Sequence, residues 1–482
     1  MKLLLKSTIL MVACHEIRLH WRDRTLPIAV ASLTVLLLVA GLVTRQNQAE
    51  RDGQRAWYQS QVRRNWLEQP DRHPHRASHY GYLAFRAPGA ASFIDQGVEG
   101  FLGNSIFLEA HRQNTANFSE ANLSGGLMRF GVLSPALIIL LLTPLVIFFL
   151  GYSIVSGERE GGTLQQLFAQ GATGRQILLG KSLALFLMGL ALILPGLLPI
   201  IFRYQASDSG GGSIVTQIGW RLAGLALVYV VYLLICCVGC VIVSTLSRRS
   251  RSALLVLILC WVTGGVFLPR GLAAAGERLA TLPSRAEFDA RLEREMAQQG
   301  DSHNPDDPHF RQLREETLRR YNVTRINDLP FNYGAFVMLE SERISSEIFR
   351  RHYLELLATI ERQNDLAVPF GLINPYLAVR PISAALAGSD HHHFAAFQLQ
   401  AEQFRYEMIQ QLNRLHLEEI RYENDRAQRV SREHWADFPE FMHHPPGWRE
   451  VLATIRLPLG ALAIWLIGAL ALLLKLRPEK IR

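Results

Sequence analysis

The residues best suited to hold a ligand in this 482-residue chain are its histidines, which come in groups: His73, His75 and His79; His391, His392 and His393; and His443 with His444. Neutral imidazole is a common ligand for zinc and copper. His75 and His79 stand at the i, i+4 spacing that brings two side chains onto one helical face. Metal handling is one reading of these groups. The other is solvated loop and helix-cap histidines, because Pro74 and its polar surroundings give no assurance of a helix at 75–79. Apart from His15 and His20, every histidine falls in two long polar regions that contain no cysteine. The five cysteines, Cys14, Cys236, Cys237, Cys240 and Cys260, lie in or beside apolar runs. The polar regions must therefore fold without disulfides, and the 236/237/240 group reads as small buried packing residues. Glu158 and Glu160 form an acidic pair, but no nucleophile or base accompanies them. No G-x-x-x-x-G-K-[ST] loop occurs; Gly174 to Lys181 has the wrong spacing and runs on into an apolar helix. The chain is thus not expected to be an enzyme, and no cofactor is expected in it.

The elements that must position these residues follow from hydropathy. Runs long enough to cross a bilayer core, about 20 helical residues, are read at 25–44, 131–155, 177–202, 222–246, 253–268 and 455–475. The expected fold class is an all-α integral membrane protein with six transmembrane helices. Residues 1–24 read as an interfacial helix, with Leu4, Leu5, Ile9, Val12 and Ile17 near helical spacing and Lys2, Lys6, His15, Glu16 and Arg18 interrupting any span. Pro135, Pro144, Pro195 and Pro199 predict kinks. Three basic clusters flank the spans: Arg18, Arg22 and Arg24; Arg248, Arg249 and Arg251 in the turn 247–252; and Lys475, Arg477, Lys480 and Arg482 around the tail 476–482. With six crossings all three fall on one side, which the positive-inside tendency makes cytoplasmic. The net charge of +8 therefore speaks for membrane topology and against a nucleic-acid partner. No ionisable group lies deep in a span, which argues against ion-coupled transport.

On this plan the regions 45–130 and 269–454 lie outside the membrane, together with the short loop 203–221 and its flexible Gly210–Gly212 turn. Phe397, Ala401, Phe404, Met408, Leu412 and Leu415 make a helical stripe, as do Phe349, Tyr353, Leu356 and Ile360. The two regions are expected to pack as one large, mostly helical split domain. On the inner side, the loop 156–176 carries two capping-box patterns, Thr163 to Gln166 and Thr173 to Gln176. Between them a helix Leu164 to Gln170 is stopped by Gly171. Leu164, Leu167 and Phe168 share one face of it. That face needs a cover: the bilayer surface, neighbouring helix ends, or a groove on another protein. Glu158 and Glu160 suit the positive end of the helix that follows.

Glu158-Arg159-Glu160-Gly161-Gly162-Thr163-Leu164, then Gly171, then Arg175 to Gly180-Lys181, resembles the coupling loop of type-2 ABC exporter permeases. There an acidic pair, Gly-Thr-Leu, a short helix and a Gly-Lys recur at this spacing. Glu16 and Arg22-Asp23-Arg24 are similar to that family's interfacial elbow helix. The polar regions resemble a subset with a large periplasmic insertion of unassigned function, through His79-Tyr80-Gly81, Leu108 to His111 and Asn374 to Asp390; relatives of the permease that supports nitrous-oxide reductase maturation are a looser likeness. Gln165 and Gln166 depart from the pattern, since many members carry Glu there. The resemblance implies a permease subunit of an exporter in the bacterial inner membrane. It implies a separate ABC ATPase that binds ATP and Mg, and a second permease copy or paralogue. Glu158, Glu160, Gly162, Thr163, Leu164, Leu167, Phe168 and Arg175 would then serve coupling. Two alternatives stand beside it: an ATP-driven mechanotransmission subunit that acts on a periplasmic partner without moving cargo, and a metal-binding envelope receptor built on His73, His75, His79, His391, His392 and His393.

Overall fold

Hydrophobic length decides the architecture. The computed structural model describes residues 2–115, 133–207, 212–300 and 307–477. Among them six helices are long and apolar enough to cross a membrane. The chain is an all-α membrane protein with a helical additional domain. An opening helix, Lys2–Arg22, lies against the third span. The first span, Thr25–Leu67, is 43 residues long and does not stop where the apolar run stops at 44. Residues 45–67 are rich in Gln and Arg and contain no proline, so backbone propensity carries the helix onward after hydrophobicity ends. The third helix, Gly174–Ser207, continues through Pro195 and Pro199, and the fourth is Gly212–Leu246. Of the expected Gly210–Gly212 turn, Gly212 opens the fourth helix and the other two glycines lie outside the described residues, as do 131–132, Lys480 and Arg482.

Kinks were expected at prolines of the second and third spans; π turns stand instead in the second and in the fifth, where no irregularity was expected. Each lies just before a proline: Ile138–Leu142 ahead of Pro144, and Thr263–Phe267 ahead of Pro269. Proline has no N–H to give back to the preceding turn, so carbonyls there need other donors. The Tyr232 hydroxyl donates to Leu140 O at 3.1 Å and Trp261 Nε1 to Leu141 O at 2.8 Å. Asn374 Nδ2 donates to Gly264 O at 2.7 Å.

The residues beyond these spans do pack together as a split, largely helical domain. Its helices are Arg285–Gln298, Pro308–Tyr321, Tyr333–Asp365 and His391–Glu419. Phe397, Ala401, Met408 and Leu412 enter one core with Trp66, Tyr82, Trp435 and Phe438, while Phe349 and Tyr353 enter a second with Phe288 and Leu292. Both stripes are thus interior surfaces. The two polar regions are cross-linked where Trp66 Nε1 donates to Trp435 O at 3.2 Å. Sequence reading missed an antiparallel hairpin, Tyr82–Phe85 with Ser105–Leu108, pairing Tyr82 with Leu108 and Phe85 with Ser105. Strands this short leave too few alternating positions to show against helix.

One helix of this domain belongs to the membrane bundle instead. Pro375–Ala387 contributes Ala378, Val379, Ile382, Ala385, Leu386 and Ala387 to the same core as the spans. Ahead of it, the 3-10 turn Pro369–Leu372 sits level with the middle of the sixth span, Trp448–Lys475, where Trp465 Nε1 donates to Gly371 O at 2.9 Å. At 13 residues the helix is too short to span, but it suits an insert that enters and leaves on one side. Asn374 caps it, accepting from Tyr376 N at 3.1 Å while its amide holds the fifth span's π turn. Asn374→Ala loses the cap and orphans Gly264 O. We expect a loss of about 2–3 kcal/mol, the sum of a cap and an unsatisfied buried carbonyl, read as a lower unfolding midpoint in detergent. An unchanged midpoint would remove Asn374 as the clamp.

Candidate functional site

The loop joining the second and third spans is tied to the third, fourth and fifth spans by separate bonds, and through Lys181 to the opening helix. Its first turn, Ser156–Glu160, does most of this. Glu158 pairs at 2.9 Å with the buried Lys181 ammonium of the third span, and Glu16 of the opening helix pairs with the same ammonium. The opening helix can come this close because position 180 is glycine: a Cβ there would stand 2.7 Å from Val12 Cβ and 2.9 Å from Ile9 O. Arg159 donates to Ser247 O at 2.6 Å and Thr245 O at 2.9 Å, satisfying carbonyls at the end of the fourth span. Glu160 accepts from Ser250 N at 3.3 Å and Ser250 Oγ at 2.7 Å at the start of the fifth, Ser250–Val262. Ser244 Oγ accepts from Val155 N and Ser156 N, both at 3.1 Å. Glu158 and Glu160 thus spend their carboxylates on other helices, the third and fifth spans.

That following helix is Thr163–Ala169. Its cap is Gly162, with φ 72°, a backbone open to glycine at little cost. The capping box expected at Thr163 to Gln166 does not form, because the cap position falls one residue earlier; Thr163 Oγ donates to Glu158 O at 3.3 Å. The box at Thr173 to Gln176 does form: Thr173 N donates to Gln176 Oε1 at 2.8 Å and Gln176 N to Thr173 Oγ at 3.3 Å. Gly171 closes the short helix with φ 88°, as expected. These assignments separate two threonines. Thr173→Ala should cost about 1 kcal/mol, whereas Thr163→Ala should stay within about 0.5 kcal/mol, as for most surface changes. Paired melting curves measure the difference, and equal shifts would refute it.

The apolar face is narrower than the sequence suggests. Leu164 is buried in the bundle core, and Leu167 and Phe168 pack partly against it. The chain's own helix ends cover most of this face. The exposed residues of the helix are Thr163, Gln165, Gln166 and Ala169, with Gly162 and Arg175 exposed beside it. Lys181, Glu16 and Arg159 entered sequence reading only as parts of motifs and were given no role as site residues. Their signal was present: a lysine at the start of an apolar run, and a glutamate on an interfacial helix.

The histidines resolve differently from their sequence grouping. His73 does not join His75 and His79. Its Nε2 meets Asp425 Oδ1 at 3.1 Å, and His416 Nε2 meets the same oxygen at 2.7 Å. Burial raises the Asp425 carboxyl, but the bonds from His416 and His73 outweigh it and hold it below the usual range. His391, His392 and His393 do not converge. The Asp390 carboxylate caps their helix by accepting from His393 N at 3.1 Å, and His393 Nε2 faces Arg221 at 3.4 Å. His75 and His79 are joined by His111, which the sequence did not group with them.

A family model described as ABC-2 family transporter protein matches residues 4–318, which include the opening helix, five spans and the whole knot around Lys181. The chain belongs to the ABC-2 transporter family. Members of that family are membrane transport components and not themselves catalytic, and membership implies an ABC ATPase partner and a lipid bilayer. Residues 285–444 of this ABC-2 protein also match a domain of unknown function, DUF3526. That segment contains the inserted helix and the two longest helices of the split domain. No curated protein matches the chain.

Proposed function

We propose that this ABC-2 protein is the permease half of an ATP-driven exporter in a bacterial inner membrane, moved by its ATPase through the helix Thr163–Ala169. Both termini and the 156–176 loop lie in the cytoplasm on this reading, and the split domain lies outside. ATP and Mg belong to the partner. A second permease copy or a paralogue completes the unit. The fifth span supports this, since its own chain covers it least and leaves it to lipid or a partner copy.

The observation that carries the proposal is the pairing of an exposed face with a braced root. Gln165, Gln166 and Ala169 are open to a docking groove, with Arg175 and the edges of Leu167 and Phe168 beside them. Leu164 seats the helix, and Gly162 and Thr163 shape its entry. Directly behind it, Glu158, Arg159 and Glu160 grip the third, fourth and fifth spans, and the Lys181 that Glu158 holds also pairs with Glu16 of the opening helix. A displacement of the short helix therefore reaches four helices through charged contacts, which are stiff when buried. The test is isolation of the tagged chain from its native membranes under mild detergent. An ABC ATPase should accompany it in near-stoichiometric amount; its consistent absence would end the proposal.

The inserted helix favours a second reading, transmission of work to an external partner without cargo. It fastens the split domain directly to the fourth, fifth and sixth spans. Transport assays in vesicles with the assembled ATPase separate the two: nucleotide-driven substrate movement supports export, and nucleotide-driven rearrangement of the domain without movement supports transmission.

A further inference from the structure

We propose that His75, His79 and His111 form a binding site for a divalent transition-metal ion, with zinc the best match. The three imidazoles come from two separate elements, the short helix Pro74–Ser78 with its final cap and the turn after the strand Ser105–Leu108. One ligand nitrogen from each lies within 4.8 Å of the other two. Their ring centroids are 4.8, 5.6 and 5.4 Å apart. Zinc–nitrogen bonds of about 2.0–2.1 Å in a tetrahedron set ligand nitrogens about 3.4 Å apart. Side-chain rotation closes that gap, and His79 is exposed and free to turn. Three histidines leave a fourth position for water or another ligand.

The surroundings are built around these rings. His111 holds a left-handed backbone, φ 61°, which a non-glycine residue adopts at a cost. Its N–H donates to Glu342 Oε2 at 3.3 Å, and its Nδ1 lies 3.9 Å from the same oxygen. A carboxylate behind an imidazole is the usual outer partner that orients a metal-bound histidine. Glu342 is itself fully buried and held by the Arg405 guanidinium at 2.6 Å. Thiols are missing from both polar regions, which favours ions that accept nitrogen over those that demand sulfur. The adjacent His73–Asp425–His416 group differs: the Nε2 of each ring is already engaged on a single carboxylate oxygen. A bound ion would join the first polar region to the helix Tyr333–Asp365 through Glu342, whether or not the permease reading holds.

The test uses the full-length chain, purified in detergent, stripped with chelator and given zinc alone or cobalt(II) alone. We expect one zinc per chain after desalting, and the intense visible bands of tetrahedral cobalt, bleached by zinc. His79→Ala and His111→Ala should each weaken binding by about a hundredfold or more, beyond the loss typical of an outer-shell partner. Asp425→Asn should leave it unchanged. Because His79 is exposed, the stripped His79→Ala protein should melt like the parent; if it does not, His79→Gln replaces it. No stoichiometric zinc, zinc retained by the His79→Ala, His111→Ala double variant, or zinc lost only with Asp425→Asn would each overturn the proposal.

Discussion

Lys181→Met is expected to destabilise the protein by about 3–5 kcal/mol, the usual cost of leaving a buried charge without its partner. The Lys181 ammonium is fully buried and serves two carboxylates, Glu16 and Glu158. Removing it leaves both acids facing each other with no cation between them. Methionine keeps most of the volume, so the loss is electrostatic and not a cavity. The discriminating control is the triple variant Lys181→Met, Glu16→Leu, Glu158→Leu. Replacing a whole buried ion group with apolar side chains is often neutral or better, so the triple variant should regain most of the lost stability. Melting in detergent reads both. A triple variant as unstable as the single one would show that packing, not charge, holds this corner. If the triple variant folds but no longer couples to its ATPase, the ion group is kept for communication between helices and not for stability.

The second large effect concerns the exposed face of the short helix. Gln166→Arg with Ala169→Arg should leave folding within about 0.5 kcal/mol, since both positions are on the surface. ATPase recovery with the tagged chain should nonetheless fall at least about tenfold, because two guanidinium groups in a docking groove disturb a contact on the scale of an interface hot spot, about 2 kcal/mol. Leu164→Asp should behave differently: it buries a charge in the chain's own core and lowers stability first. Undiminished ATPase recovery with the double variant would place docking elsewhere on this end of the bundle.

The spans were legible in the sequence because a bilayer demands uninterrupted apolar length, and each of the six runs has a helix within or around it. Helix ends were not, because polar residues such as those at 45–67 carry a helix as well as apolar ones do. The prolines signalled irregularity, but whether it became a bend or a π turn depended on donors from other helices, Tyr232, Trp261 and Asn374, which no local pattern reveals. Within the loop, Thr173 and Gln176 met as their spacing suggested, while Thr163 lost its cap role to Gly162. The charges at 158–160 were visible, but their partners at 16, 181, 245, 247 and 250 depend on tertiary packing. The same holds for His111, separated from His75 and His79 by a hairpin whose strands are too short to announce themselves. The stretch 367–387 is too short to span, so hydropathy did not set it apart, and it stayed within the polar region 269–454.

That stretch has a consequence for how the protein is made. The segment Pro369–Ala387 leaves the ribosome after the fifth helix and before the sixth, yet it ends up lodged among the fourth, fifth and sixth. On the proposed topology the translocon passes it across with the outer region, and it then folds back among helices already inserted. Closure of the bundle therefore waits for the last helix to emerge and lock it in place.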